Sequence, residues 1–158
     1  MTAGAPAPEA SGETPVSRYV VGIDLGTTNS AVAFVDTESP RREVETFRVP
    51  QLVAPGEVEA RDVLPSFHYE AAPGEFPAGA LRLPFDGKTK NYAVGYFARD
   101  QGAKVPGRLV VSAKSWLCHQ GVDRAAPLLP WQGAEDVERL SPVEVSARYL
   151  AHLREAWD

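Results

Sequence analysis

The densest chemistry in this sequence is Asp24-Leu25-Gly26-Thr27-Thr28-Asn29-Ser30, set between the apolar runs Tyr19–Ile23 and Ala31–Val35. Asp24 puts a carboxylate at the end of an apolar run, where an ion is costly unless a cation or hydrogen-bond donors meet it. A magnesium ion held through its water shell is one natural partner. Gly26 permits a tight turn and close backbone approach. Successive N–H groups around such a turn can form a concave nest for an anion, and the Thr27 and Thr28 hydroxyls add donors. A carboxylate for hydrated Mg2+ beside donors for phosphate oxygens is what a nucleoside triphosphate requires. The alternative is a hairpin turn that favours Gly, Thr and Asn for their conformation alone, since short glycine motifs often arise by chance. Neither GxxxxGK[ST] nor GxGxxG is present.

Other residues carry weaker signals. Lys114, flanked by apolar residues, reads locally as a surface lysine. Cys118-His119 suggests a metal, but two adjacent residues lack the partner ligands of a zinc site. His68 and His152 have no visible acid or nucleophile nearby and read as surface or hydrogen-bonded histidines. Asp86-Gly87 reads as a turn, and Trp116, Trp131 and Trp157 as core or interlobe packing residues.

The elements that must position the motif follow from pattern. The two apolar runs joined by small polar residues predict a β-hairpin with largely buried strands. Asp36–Pro40 is turn chemistry, and Val44–Val49 is a candidate third strand. Residues 50–62, rich in Pro, Gly and Glu, read as a loop. Leu64–Tyr69 reads as a short strand that Pro65 places at an edge or an entry point. Pro73–Pro84 is irregular, Tyr92–Gly95 a further short strand, and Phe97–Asp100 a brief helix broken at Val105–Gly107. Leu109–Leu117 is an apolar segment interrupted by Ser112 and Lys114.

The last helix has the clearest local signals. Ser141 and Glu144 make a capping box, Pro142 suits the first helical position, and Leu140 and Val145 can staple. Val143, Ala147, Leu150, Leu153 and Trp157 share one helical face, with Glu144 and Arg148 paired on the other. The helix has little following sequence to bury that stripe, so the chain is expected to be a fragment.

With 158 residues, 44% of them hydrophobic and 23% charged, the chain suits one soluble domain. A net charge of -5 and scattered basic residues argue against nucleic acid. No apolar run approaches a membrane span. Residues 1–16, rich in Ala, Pro, Gly, Ser and Glu, are expected to form a disordered tail without secretory-signal features. The single cysteine, Cys118, excludes an intrachain disulfide and suits a cytoplasmic location.

The segment Val21-Gly22-Ile23-Asp24-Leu25-Gly26-Thr27-Thr28-Asn29-Ser30 resembles the opening of the seventy-kilodalton heat-shock chaperones of the DnaK type. Three further segments, in order, are similar to that family. Leu64-Pro65-Ser66-Phe67 resembles its Thr-Pro-Ser segment, and Val94-Gly95-Tyr96-Phe97-Ala98 its Ile-Gly-x-x-Ala helix start. Ser112-Ala113-Lys114-Ser115-Trp116-Leu117 resembles the stretch bearing its active-site lysine. The helix from Pro142 is similar to the one crossing its first lobe.

The resemblance implies an α/β, actin-like (ribonuclease H-like) ATPase fold, with residues 17–158 forming part of the first lobe. It implies Asp24 as the magnesium residue through water, with Gly26, Thr27, Thr28 and Asn29 around the phosphates. Lys114 would be the catalytic lysine near the γ-phosphate, where fixed charge is what phosphoryl transfer needs. ATP or ADP, Mg2+ and K+ would be the ligands. Exposed client peptides, bound by a domain outside these residues, a co-chaperone and a nucleotide-exchange factor would be partners in protein folding under stress. Ser115 departs from the family's arginine. The Asp-x-Gly-Gly-Gly second phosphate loop is not among these residues, so the chain would supply one wall of a cleft. An actin-like sugar kinase and a non-hydrolysing nucleotide-binding module are the alternatives.

Overall fold

The computed structural model describes residues 17–158; the tail expected over residues 1–16 lies outside the described residues. The predicted hairpin is present. β1 (Tyr19–Asp24) and β2 (Asn29–Asp36) are antiparallel, with Asp24 opposite Ala31 and Tyr19 opposite Asp36. β3 (Glu45–Phe47) extends the sheet beyond β2 with Phe47 opposite Val32. The expectation of largely buried strands fails for β1, which is exposed along its whole length. Among the described residues β1 has a partner on one edge only, whereas β2 is flanked on both and covered at Val32.

Residues 50–62 are not a loop. β4 (Val49–Ala54) and β5 (Glu57–Arg61) form a second antiparallel hairpin. The turn formers that suggested a loop are used at its tip, Pro55-Gly56, where Gly56 adopts φ 78°. β4 is anchored from outside: Val49, Gln51 and Leu52 are buried. The Gln51 amide donates to the Val63 carbonyl at 2.8 Å and accepts the Tyr96 N–H at 2.9 Å. Those partners are distant in sequence, so local composition did not show them.

The strand expected over Leu64–Tyr69 divides at Ser66. β6 (Leu64–Pro65) pairs with β2, Asn29 opposite Pro65 and Ser30 opposite Leu64. β7 (Phe67–Glu70) enters a different sheet between β8 (Tyr92–Val94) and β9 (Leu109–Val111). α1 (Tyr96–Lys104) is longer than the brief helix expected, and α2 (Ala113–Leu117) is a five-residue helix.

α3 (Pro142–Trp157) carries the predicted cap. Ser141 Oγ accepts the Glu144 N–H at 3.1 Å, and the Glu144 carboxylate accepts the Ser141 N–H at 2.7 Å. The predicted apolar face is inside only in part: Leu153 is buried and Trp157 packs against the core, whereas Ala147 is exposed. Val143 (46% exposed) and Leu150 (39%) face outward, while Val145, Tyr149, His152 and Leu153 are buried. Position, rather than apolarity alone, selects this face, because its polar groups find partners: Tyr149 Oη donates to the Ser66 carbonyl at 3.1 Å, and His152 Nε2 lies 2.9 Å from the Pro50 carbonyl.

Nor does Arg148 form the expected ion pair with Glu144, whose carboxylate is engaged in the cap. Arg148 Nη1 reaches across to β7, 3.0 Å from Glu70 Oε2 and 2.7 Å from His68 Nε2. Its guanidinium also lies over the Tyr92 ring, which stacks on His68. Two apolar clusters result. One joins β2, β4, β8, β9 and α3 through Val32, Val49, Val94, Val110, Tyr149 and Leu153, and the other surrounds α1 through Leu52, Tyr69, Ala93 and Phe97.

Candidate functional site

The connection between β1 and β2 places Asp24, Gly26, Thr27, Thr28 and Asn29 within one turn. Asp24, Thr27, Thr28 and Asn29 are exposed, whereas Ser30, next along β2, is buried. Gly26 is required by contact: a Cβ built there would lie 2.0 Å from the Asn29 carbonyl oxygen. The chain folds back on itself so closely that no side chain fits, leaving backbone and small polar groups at the tip. That is the cradle an oxyanion nest needs.

Asp24 belongs to a wider concavity. Gly22, Asp24, Ala31, Ala33 and Thr46 line a hollow of about 350 Å³ on the hairpin sheet. The exposed Asp24 carboxylate beside the cradle fits a magnesium ion carried with its waters, since Mg2+ retains several waters and takes few protein ligands. Among the described residues, no group of three or more His, Cys, Asp or Glu side chains is placed to hold a metal directly.

The loop is held from behind by Ser66, at the joint between β6 and β7. Ser66 Oγ donates to the Gly26 carbonyl at 2.8 Å and lies 3.1 Å from Ser30 Oγ, while Ser66 N–H donates to the Thr28 carbonyl at 2.8 Å. In the sequence Ser66 stands only as part of a strand and of the Thr-Pro-Ser resemblance, with no role of its own. Its signal was a small polar residue straight after a proline, which is too common to select.

Lys114 lies on α2 and is exposed. No hydrogen bond or ion pair joins it to Asp24, Thr27 or Thr28 among the described residues. The two elements do share a base. Leu25 of the hairpin, and Ala113 and Trp116 of α2, belong to or pack against the same apolar cluster. Ser112, just before α2, takes a left-handed conformation with φ 54°, which turns the chain sharply out of β9. Trp116 stacks near His119 and Trp131, and Trp131 is 58% exposed rather than packed inside.

Three further titratable groups are shifted by burial. Burial pushes the His68 imidazole down to about 3, with the Arg148 charge adding to the effect. Burial likewise lowers His152 to about 4. Glu70 is raised by burial, against the opposing pull of Arg148.

No family model matches the chain. Its sequence is 32% identical over 149 residues to the chaperone protein HscA of Enterobacter sp. (strain 638), covering 86% of this chain and 19% of that protein. It is 34% identical over 156 residues to the HscA homolog of Bordetella petrii, covering 91% of this chain and 21% of that one. The HscA homolog of Methylococcus capsulatus is 33% identical over 155 residues, with 92% and 20% covered. These similarities, over most of the chain, support the heat-shock-protein-70 family of chaperones. The relatives carry the name HscA, and the chain spans about a fifth of their length.

Proposed function

We propose that this chain forms the N-terminal part of the ATP-binding domain of a heat-shock-protein-70 chaperone, in an actin-like fold. The observation that carries the reading is the Gly26 cradle, a hairpin tip too tight for any Cβ, flanked by an exposed carboxylate and two exposed threonines. It lies within a sequence whose relatives are named chaperones.

In this reading Asp24 holds the waters of Mg2+, and the Gly26–Asn29 backbone with the Thr27 and Thr28 hydroxyls receives phosphate oxygens. The magnesium ion, when bound, neutralises phosphate charge. Lys114 is the catalytic lysine: its flexible four-carbon stem lets an ammonium on a separate helix approach the γ-phosphate once nucleotide is seated. In the whole protein, ATP hydrolysis switches affinity for exposed client peptides, with a co-chaperone and an exchange factor acting on the cycle in the cytoplasm. No helix of the described residues is long and apolar enough to cross a membrane.

One wall of a cleft binds nucleotide weakly. If Kd is about ten times the nucleotide concentration, stabilisation is only about 0.06 kcal/mol. Melting residues 1–158 with and without millimolar MgATP is therefore expected to give superimposable curves. A clear upward shift, or measurable hydrolysis by this chain, refutes the half-site reading. Lys114 makes no hydrogen bond or ion pair to the hairpin among the described residues, which keeps one rival in play, a nucleotide-binding module without hydrolysis. Lys114→Ala in a longer chain that turns over ATP decides it, because unchanged turnover removes the catalytic role.

A further inference from the structure

Ser66 is 1% exposed, and every polar group it has is engaged. A serine hydroxyl has one proton. Because Ser66 Oγ gives that proton to the Gly26 carbonyl, the 3.1 Å contact with Ser30 Oγ is donated by Ser30. The order is therefore Ser30 to Ser66 to Gly26. Ser66 N–H holds the Thr28 carbonyl, and the Ser66 carbonyl accepts Tyr149 Oη from α3. A residue on neither strand of the hairpin thus fixes two alternate carbonyls of its tip and is itself tied to the longest helix.

A trans peptide is planar, with its C=O and N–H on opposite sides. Turning the Gly26 carbonyl toward Ser66 sends the Thr27 N–H away from it. Turning the Thr28 carbonyl inward does the same for Asn29 N–H. We propose that Ser66 is a positioning residue for an oxyanion: by holding the Gly26 and Thr28 carbonyls it directs the Thr27 and Asn29 N–H groups outward as a preformed donor pair. The inference rests on the phosphate reading of the hairpin, and it assigns a separate residue the work of keeping that donor pair organised before any ligand arrives.

The side-chain half of this device can be removed alone. Ser66→Ala deletes the bond to Gly26 and leaves the backbone bond to Thr28. Ser30→Ala deletes a buried hydroxyl of the same cluster while sparing the bond to Gly26. Two readings are taken on 15N-labelled residues 1–158: backbone order parameters of Thr27 and Asn29 in the free chain, and shifts of their amides on titration with magnesium tripolyphosphate. In the wild type the order parameters are expected near about 0.85, and in Ser66→Ala below about 0.6. Ser66→Ala is expected to weaken tripolyphosphate binding about fivefold, the loss of roughly one net hydrogen bond. Ser30→Ala should preserve both order and affinity.

A rigid tip and unchanged binding in Ser66→Ala would overturn the inference. So would equal loosening by Ser30→Ala, which would mean general destabilisation. If Ser66→Ala loosens the tip but wild-type amides do not respond to tripolyphosphate, the phosphate reading fails and Ser66 is only a structural tie.

Discussion

His152 should make this protein acid-sensitive in a measurable and separable way. The imidazole is 4% exposed, its Nε2 lies 2.9 Å from the Pro50 carbonyl, and the Phe85 ring meets it edge-on at 5.5 Å. Burial lowers its folded-state pKa from 6.5 to about 4, with the Lys90 charge adding to the fall and the Pro50 bond, Asp86 and Glu155 opposing it. The unfolded chain therefore takes up a proton near pH 6.5 that the folded chain refuses until about pH 4. Stability from this group is present in full above pH 6.5 and is lost as the pH falls toward 4.

Between pH 7.5 and 5.0 the linkage integrates to a loss of about 2 kcal/mol, a large share of a small domain's stability. His152→Gln keeps a donor within reach of Pro50 and cannot titrate. Urea unfolding of both proteins at the two pH values isolates the effect, because His68 and Glu70 titrate in both. The variant is expected to start about 1 kcal/mol less stable, from lost ring packing, and to lose about 2 kcal/mol less on acidification. Parallel losses in the two proteins would refute a buried neutral His152.

Two further substitutions test the arrangement. Gly26→Ala must move the tip, because the new Cβ would lie 2.0 Å from the Asn29 oxygen where ordinary contact starts at 3.4 Å, a displacement of 3.4 − 2.0 = 1.4 Å. Overpacking of that order costs about 1–3 kcal/mol, so unchanged denaturant stability and unchanged Thr27–Asn29 amide resonances would contradict the cradle. Arg148→Leu leaves the Glu70 carboxylate, 4% exposed, without its cation, and is expected to cost about 3–5 kcal/mol at pH 8. Because burial already raises Glu70, that cost should shrink at pH 5, where the carboxyl more readily takes a proton; a pH-independent cost by urea unfolding would count against it.

The local frame of the candidate site was legible in the residues. The turn between two β-branched runs, the Gly26 requirement and the Ser141–Glu144 cap are local, because each depends on neighbours within a few positions. The structure reproduces the hairpin and the cap. The β4–β5 hairpin was not legible, because Pro and Gly mark turns without saying whether the intervening residues pair. Its strands are held by Gln51 contacts to Val63 and Tyr96.

By itself, the sequence determined a tight glycine turn between two strands and a well-capped last helix, since φ preferences, missing side chains and capping donors act over one or two turns of chain. Only the tertiary structure decided which face of α3 is inside. Hydrophobic periodicity chose Val143, Ala147, Leu150, Leu153 and Trp157, of which Leu153 is buried and Trp157 packs on the core, yet the burial of Tyr149 and His152 depends on acceptors at Ser66 and Pro50 far away in sequence. The same long-range pairing placed Arg148 on Glu70 and His68, and Ser66 behind the hairpin tip. A buried polar group is stable only where its partner is, and that partner's position is set by the fold.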